Sequence, residues 1–216
     1  MINIIQNFTI PIKCVIIYCV MVLCLFQGTF NPIHNAHLRV AQFALEHCAK
    51  DGILFIPAFA PPHKTIDDKM SFHRFNMVKL AIEDNKKFEI SDIEFIRKGK
   101  SYTYLTVCEL YENLHPDEKI KFIIGTDAFR KIETWYESDK LKELVDFLVF
   151  TRDKNFDERE FIQLKNKGYN YQLMSLPFKD ISSTELRNRI KNGKSLTGLL
   201  PPKVEEYIIQ NELYKN

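Results

Sequence analysis

Two hydrophobic periods alternate along this chain. Short continuous apolar runs, Val20 to Phe26, Ile53 to Ile56, Ile120 to Ile124 and Phe147 to Phe150, read as strands buried on both faces. Phe88 and Ile90, separated by a polar residue, and the stretch Tyr171 to Leu176 add two more. Between the strands, apolar residues recur every three or four positions. Leu38, Ala41, Leu45 and Cys48 form one such set; Phe75, Val78 and Ile82 form another; Leu105, Cys108 and Tyr111 form a third. Each set predicts the inward face of a helix, with Ser71 and Ser101 as candidate N-caps of the second and third. Leu141 and Leu144 mark a short helix, and the polar segment from Asp157 to Lys167 predicts a surface helix. Two further helices are expected, one ending near Gly193 and one running from about Pro202 to Leu213. Strands alternating with helices predict an α/β fold: a doubly wound, mostly parallel sheet with a small C-terminal helical part.

Size and charge narrow the picture. The chain has 216 residues, 45% of them hydrophobic, enough for one domain with a sizeable core. A net charge of +2 argues against a nucleic-acid-binding surface. The five cysteines form no C-x-x-C pair, and Cys14, Cys19 and Cys24 lie in or beside apolar sequence, which fits a reducing, cytoplasmic setting. The apolar run from Cys14 to Phe26 falls short of the about 20 residues a membrane span needs, and Met1 to Thr9 lacks the basic start of a secretory signal. Residues 1–20 are therefore read as a dispensable extension, with Met21 as a plausible start, and residues 21–216 as a single domain that does not engage a membrane.

Candidate chemistry gathers at two places. The first is Gly28-Thr29-Phe30-Asn31-Pro32-Ile33-His34-Asn35-Ala36-His37, between a predicted strand and a predicted helix. In an open α/β sheet, ligands bind beyond the carboxyl ends of strands, and a helix start presents unpaired N–H groups suited to phosphate. His34 and His37, three apart, face the same way on a first helical turn. Capping or packing would also account for the pair; a zinc site would need a third ligand that the neighbouring sequence does not supply. The second place is Ile181-Ser182-Ser183-Thr184-Glu185-Leu186-Arg187. Ser182 and Glu185 fit a capping box, which is a purely structural reading. Three hydroxyls at a helix start, with Arg187 four residues after Ser183, also make a phosphate clamp.

Together the two strings resemble the G-T-F-D-P-x-H-x-G-H and I-S-S-T-x-[IL]-R signatures of the HxGH nucleotidylyltransferase superfamily. The chain departs from the first at Gln27, where a glycine is usual, at Asn31, where the pattern has aspartate, and at Ala36, where it has glycine. Pro61-Pro62-His63-Lys64, Ser101-Tyr102-Thr103, Gly125-Thr126-Asp127-Ala128-Phe129, Trp135-Tyr136 and Leu200-Pro201 narrow the resemblance to bacterial nicotinate-nucleotide adenylyltransferases, over about residues 21 to 214. The resemblance implies adenylyl transfer from ATP to nicotinate mononucleotide in NAD biosynthesis. It implies His34, His37 and Arg187 as catalytic. It implies ATP contacts at Gly28, Thr29, Phe30, His34, His37, Gly125, Asp127, Ile181, Ser182, Ser183 and Arg187. The mononucleotide would meet Thr29, His63, Lys64, Thr103, Trp135 and Tyr136, with Trp135 stacked on the pyridine ring and Thr103 and Tyr136 near its carboxylate. Mg²⁺ would be carried by ATP, with no protein-only metal site, and a homo-oligomer is compatible. The bland readings stand beside these: Trp135 as an ordinary half-buried aromatic, His63-Lys64 as a solvated loop tip, Gly125-Thr126-Asp127 as a turn. Nicotinamide mononucleotide or phosphopantetheine as acceptor, or a catalytically weakened nucleotide-binding protein, are the alternative functions.

Overall fold

A computed structural model of the chain describes residues 23–49, 51–62, 68–151, 156–176 and 181–215. The proposed extension at residues 1–20 and the pair His63 and Lys64 lie outside the described residues. Six strands make one sheet: β1 (Cys24–Gly28), β2 (Ile53–Pro57), β3 (Phe88–Ile90), β4 (Ile120–Gly125), β5 (Val145–Thr151) and β6 (Tyr171–Ser175). Their order is β3-β2-β1-β4-β5-β6 and every pairing is parallel. The chain therefore winds outward from β1 in one direction, returns, and winds outward from β4 in the other, the doubly wound topology expected from the alternation.

The continuous apolar runs follow from burial on both faces. Along β4 and β5, Phe122, Ile124, Phe147 and Val149 point into one core, while Ile123, Leu148 and Phe150 point into the other. The helices sort accordingly. On the second of these faces lie α1 (Asn35–His47), α2 (Asp68–Ile82), α8 (Ser183–Lys191) and α9 (Pro202–Gln210). The opposite face carries α4 (Thr103–Leu114), α6 (Ser138–Leu144) and α7 (Ile162–Asn166). Two very short helices, α3 (Ile93–Arg97) and α5 (Thr126–Phe129), follow β3 and β4 directly.

Several local expectations are corrected. Helix α2 starts at Asp68, so Ser71 is inside it; its hydroxyl donates to the Phe59 carbonyl at 2.7 Å instead of capping the helix. Ser101 precedes the N-cap Tyr102 and accepts the Ala60 N–H at 2.9 Å. Helix α4 buries Thr106, Val107 and Leu110, whereas Leu105 is 37% exposed, so the inward face is rotated from the predicted one. Helix α1 buries Ala36, Val40, Ala41 and Ala44, with Leu38 and Leu45 at the margin. The Asp157–Lys167 segment is a 3-10 turn over Glu158–Phe161 followed by α7, and α3 has no counterpart in the predicted elements. Among the described residues, no helix is long and apolar enough to cross a membrane.

Candidate active site

The two central strands part early. β1 and β4 pair only at Cys24–Lys121 and Leu25–Phe122, whereas β4 and β5 stay paired over six positions. The crevice so opened lies at the switch point of the sheet, where such folds bind ligands. The strand-to-helix loop of the first motif leaves β1 beside it. Phe30 folds its ring back onto the end of the strand, with its backbone in the left-handed region at φ 46°. A side chain on Gly28 would put its Cβ 2.9 Å from that ring, so a larger residue there would push the Phe30 ring from its place. The Phe30 ring meets Phe26 and His37 edge-on, at 5.4 and 5.2 Å between centroids. An apolar bed thus supports one histidine from below.

His34 is the N-cap of α1 and is 2% exposed. Its ring stacks on that of His37 at 3.6 Å. The Nδ1 of His37 accepts the His34 backbone N–H at 3.2 Å. A ring nitrogen that accepts carries no proton, so the neutral His37 ring bears its proton on Nε2 and can donate from that side.

The second motif docks on the first. Ser182 caps α8 by accepting the Glu185 N–H at 3.1 Å, but the Glu185 carboxylate pairs with Arg189 at 2.9 Å, so only the Ser182 half of the expected capping box forms. Ser183 donates to the Pro32 carbonyl at 2.9 Å. Arg187 donates to the Asn31 carbonyl at 2.8 Å and to the Thr184 hydroxyl at 3.2 Å. The starts of α1 and α8 therefore converge on the Asn31–Pro32 turn, although they are far apart in sequence. From a third side, buried Arg74 donates to the carbonyls of Thr29, Ala58 and Phe59 at 2.8, 2.5 and 2.9 Å. Hydrogen bonds from charged donors are worth about 1.5–3 kcal/mol each, so this one side chain ties the loops after β1 and β2 firmly together. Nothing in the periodicity marked Arg74; only its place on the buried side of α2, three residues after Ser71, hints at a partner.

The three departures from the signature each have a local fit. Ala36 is 2% exposed in the apolar cluster beneath α1, where a methyl group packs. The Oδ1 of Asn31 accepts the Tyr214 hydroxyl at 2.6 Å. Gln27 donates to Glu94 on α3 at 2.5 Å. Glu94, 1% exposed, also accepts from the Phe59 N–H at 3.1 Å and the Thr106 hydroxyl at 2.7 Å, and stands 3.5 Å from Arg97. This buried carboxylate was missed by sequence reading; an acid inside the apolar run Ile93 to Ile96 was its signal.

Across the crevice, Gly125 ends β4 and precedes α5. The Asp127 carboxylate is 95% exposed and pairs with Arg130 at 2.7 Å; Arg130 in turn pairs with Glu160. Trp135 is partly buried against Phe122 at 6.1 Å, nearly perpendicular to it. Tyr136 is 47% exposed and lies against Tyr102 at 4.6 Å, which sets it beside the α4 start that contains Thr103. The acceptor-side candidates Thr103 and Tyr136 are thus neighbours. Ile181 lines a cavity of about 750 Å³ with Asn35, Arg39 and Leu199. Among the described residues, no group of three or more His, Cys, Asp or Glu side chains is placed to hold a metal ion.

Comparison with known proteins bears on the fold and the family. The family model described as cytidylyltransferase-like matches residues 25–189. A probable nicotinate-nucleotide adenylyltransferase of Clostridium botulinum (strain Kyoto / Type A2) is 44% identical over 195 residues, covering 87% of this chain and 96% of that protein. A protein of the same name from Caldicellulosiruptor bescii is 39% identical over 198 residues, covering 90% and 100%. Among solved structures, the nicotinic acid mononucleotide adenylyltransferase of Plasmodium falciparum complexed with NaAD superposes with a TM-score of 0.73 at 24% identity, over 89% of this chain and 97% of that one. At that identity the structural match speaks for the fold, and the two bacterial relatives speak for the family. The chain belongs to the cytidylyltransferase-like family, among its nicotinate-nucleotide adenylyltransferases.

Proposed function

We propose that this protein transfers the adenylyl group of ATP to nicotinate mononucleotide, releasing pyrophosphate and forming nicotinate adenine dinucleotide. The observation that carries the reading is the junction of the two motifs: Ser183 and Arg187 of α8 bonded to the Pro32 and Asn31 carbonyls at the foot of the His34–His37 pair. The names of the bacterial relatives support the same acceptor.

The chemistry asks little covalent work of the protein. The mononucleotide phosphate is ionised at neutral pH, so it needs no general base. One of its oxygens attacks the α-phosphorus of ATP, a new P–O bond forms, and the bond to the β-phosphate oxygen breaks in line with it. Charge then builds on the departing pyrophosphate. In this reading the Nε2–H of His37, the N–H groups at the start of α1 and the Arg187 guanidinium meet that charge. Mg²⁺ arrives as part of the ATP substrate, held by phosphate oxygens and water. Gly28, Thr29, Phe30, Gly125, Asp127, Ile181, Ser182 and Ser183 are assigned to ATP, and Thr103, Trp135 and Tyr136 to the acceptor ring. The test is a turnover assay with ATP and each of nicotinate mononucleotide, nicotinamide mononucleotide and phosphopantetheine. Pyrophosphate release with nicotinate mononucleotide alone, or far above the others, is expected; release with none of them would overturn the reading.

A further inference from the structure

We propose that Tyr214 is a positioning residue for the phosphate-binding loop, acting on Arg187 through Asn31. The inference rests on the adenylyl-transfer reading for its kinetic consequence, but its structural part stands alone. Asn31 sits at the centre of the loop and is gripped twice. Its backbone carbonyl takes Arg187 at 2.8 Å, and its side-chain oxygen takes the Tyr214 hydroxyl at 2.6 Å. A backbone rotation at Asn31 would carry both acceptors with it, so the side-chain bond to Tyr214 helps to hold the carbonyl that Arg187 takes. The Tyr214 hydroxyl is therefore linked through one residue, Asn31, to a guanidinium assigned to the leaving group.

The segment that presents Tyr214 is built to hold it there. Helix α9 is fastened to α2 through Tyr207, whose hydroxyl meets the Nδ1 of His73 at 2.9 Å and the side-chain amide of Asn76 at 3.0 Å. After α9, Leu213 is 6% exposed and belongs to the same apolar cluster as Phe30, Ile33 and Ala36. Its N–H bonds the Ile208 carbonyl at 3.0 Å. Glu212 and Tyr214 both lie in the left-handed region, at φ 52° and 64°. Non-glycine residues stay there only where surrounding contacts over-determine them, and such strain gathers where a side chain must be aimed. Burial raises the Tyr214 phenol above its ordinary value, while Arg187 and Arg74 pull it the other way. The hydroxyl thus stays protonated, as a donor to Asn31.

The test combines kinetics with amide exchange on the full chain. Tyr214→Phe removes the hydroxyl and keeps the ring. It is expected to lower kcat about 5- to 10-fold, the loss of one hydrogen bond, with the KM of both nucleotides and the Tm little changed. Asn31→Ala should lower kcat similarly, and the double variant should fall no further than the worse single one, because both remove the same link. A structural role alone would lower Tm and leave the kcat of the folded protein intact. In parallel, hydrogen exchange at residues 29–34, measured without nucleotide, should be faster in Tyr214→Phe. If the wild type turns over, an unchanged kcat or additive losses in the double variant overturn the proposal. If the wild type is silent with every acceptor, the functional reading has failed, and the exchange data decide the Tyr214 link: unchanged protection of residues 29–34 overturns it.

Discussion

The two sides of the β1–β4 crevice are made differently. On the β1 side, the loop from Thr29 to Pro32 has its carbonyls bound by Arg74, Ser183 and Arg187 and its one amide side chain bound by Tyr214. The donors come from three places, α2, α8 and the segment after α9, and two of the four are guanidinium groups. On the β4 side, the acceptor ring is assigned chiefly to aromatic side chains: Trp135 edge-on to Phe122, and Tyr136 half-exposed against Tyr102. The first side has the rigidity that transition-state charge stabilisation demands, because donors must already point where charge develops. The second has the surface that stacking needs, which tolerates small displacements. Damage on the first side should therefore appear in kcat and damage on the second in KM.

The largest expected effect tests the rigid side. His37→Ala should lower kcat by about 10²–10³-fold with KM values nearly unchanged, since the ring is assigned to charge present only in the transition state. Steady-state kinetics with both nucleotides varied would show it. Near-normal turnover would reduce His37 to the packing partner of Phe30 and His34, and the contrast between the two sides would lose its main support. Next comes the aromatic side. Trp135→Ala should weaken the mononucleotide by about 1–3 kcal/mol, a stacking loss, while the KM for ATP holds. Equal losses for both substrates in a titration would break the division between the sides.

A smaller effect tests the support beneath the loop after β2, which Arg74 ties to the rigid side. The Phe59 and Ala60 N–H groups that follow β2 are bonded to Glu94 and Ser101. Glu94→Gln keeps the shape but gives the side chain only one accepting oxygen. A buried donor, Phe59 N–H or Thr106 hydroxyl, then goes unpaired at a cost of about 1–3 kcal/mol. Thermal melting should fall by roughly 2–4 °C per kcal/mol for a chain of this size. An unchanged Tm would show that the network does not support this loop, and the rigid side would rest on Arg74 and α8 alone.

The same division explains what was legible in the sequence. Strands buried on both faces write continuous apolar runs, so the runs that became β2, β4 and β5 were plain, and their alternation with helices implied the parallel order. The two motifs were legible because phosphate chemistry needs particular residues at fixed spacing beside a helix start. What stayed hidden was the support. Arg74, Glu94 and Tyr214 act through partners distant in sequence, and a lone buried charge or phenol leaves no period to read. The misread faces have a related cause. Thr106 is buried because it donates to Glu94, and Leu105 is turned outward as a result, so a polar contact overrode the hydrophobic stripe. Ser71 and Ser101 looked like caps, since local capping is the commonest use of such serines, but both spend their hydroxyls on the loop after β2.

The smallest expected effect concerns Asn31, where the family pattern has an acid. Two roles for that acid predict different outcomes. If it orients a cation, Asn31 is a defect, and Asn31→Asp should raise turnover tenfold or more, about 1.4 kcal/mol of barrier. If it orders the loop, asparagine serves as well, because either side chain offers an oxygen to the same donor. The geometry favours the second role. The Oδ1 of Asn31 is occupied by a neutral hydroxyl, that of Tyr214, and Arg187 reaches the residue through its backbone carbonyl, an acceptor that does not depend on the side chain. A carboxylate at this position would gain a stronger bond from Tyr214 and some attraction to Arg187. It would also set a negative charge beside a site that must admit two phosphate-bearing substrates. These terms oppose one another, so Asn31→Asp should change kcat by less than about tenfold in either direction. Kinetics of that variant beside Asn31→Ala give the sharpest reading: activity kept by the acid and lost by alanine marks a loop whose acceptor matters and whose charge does not.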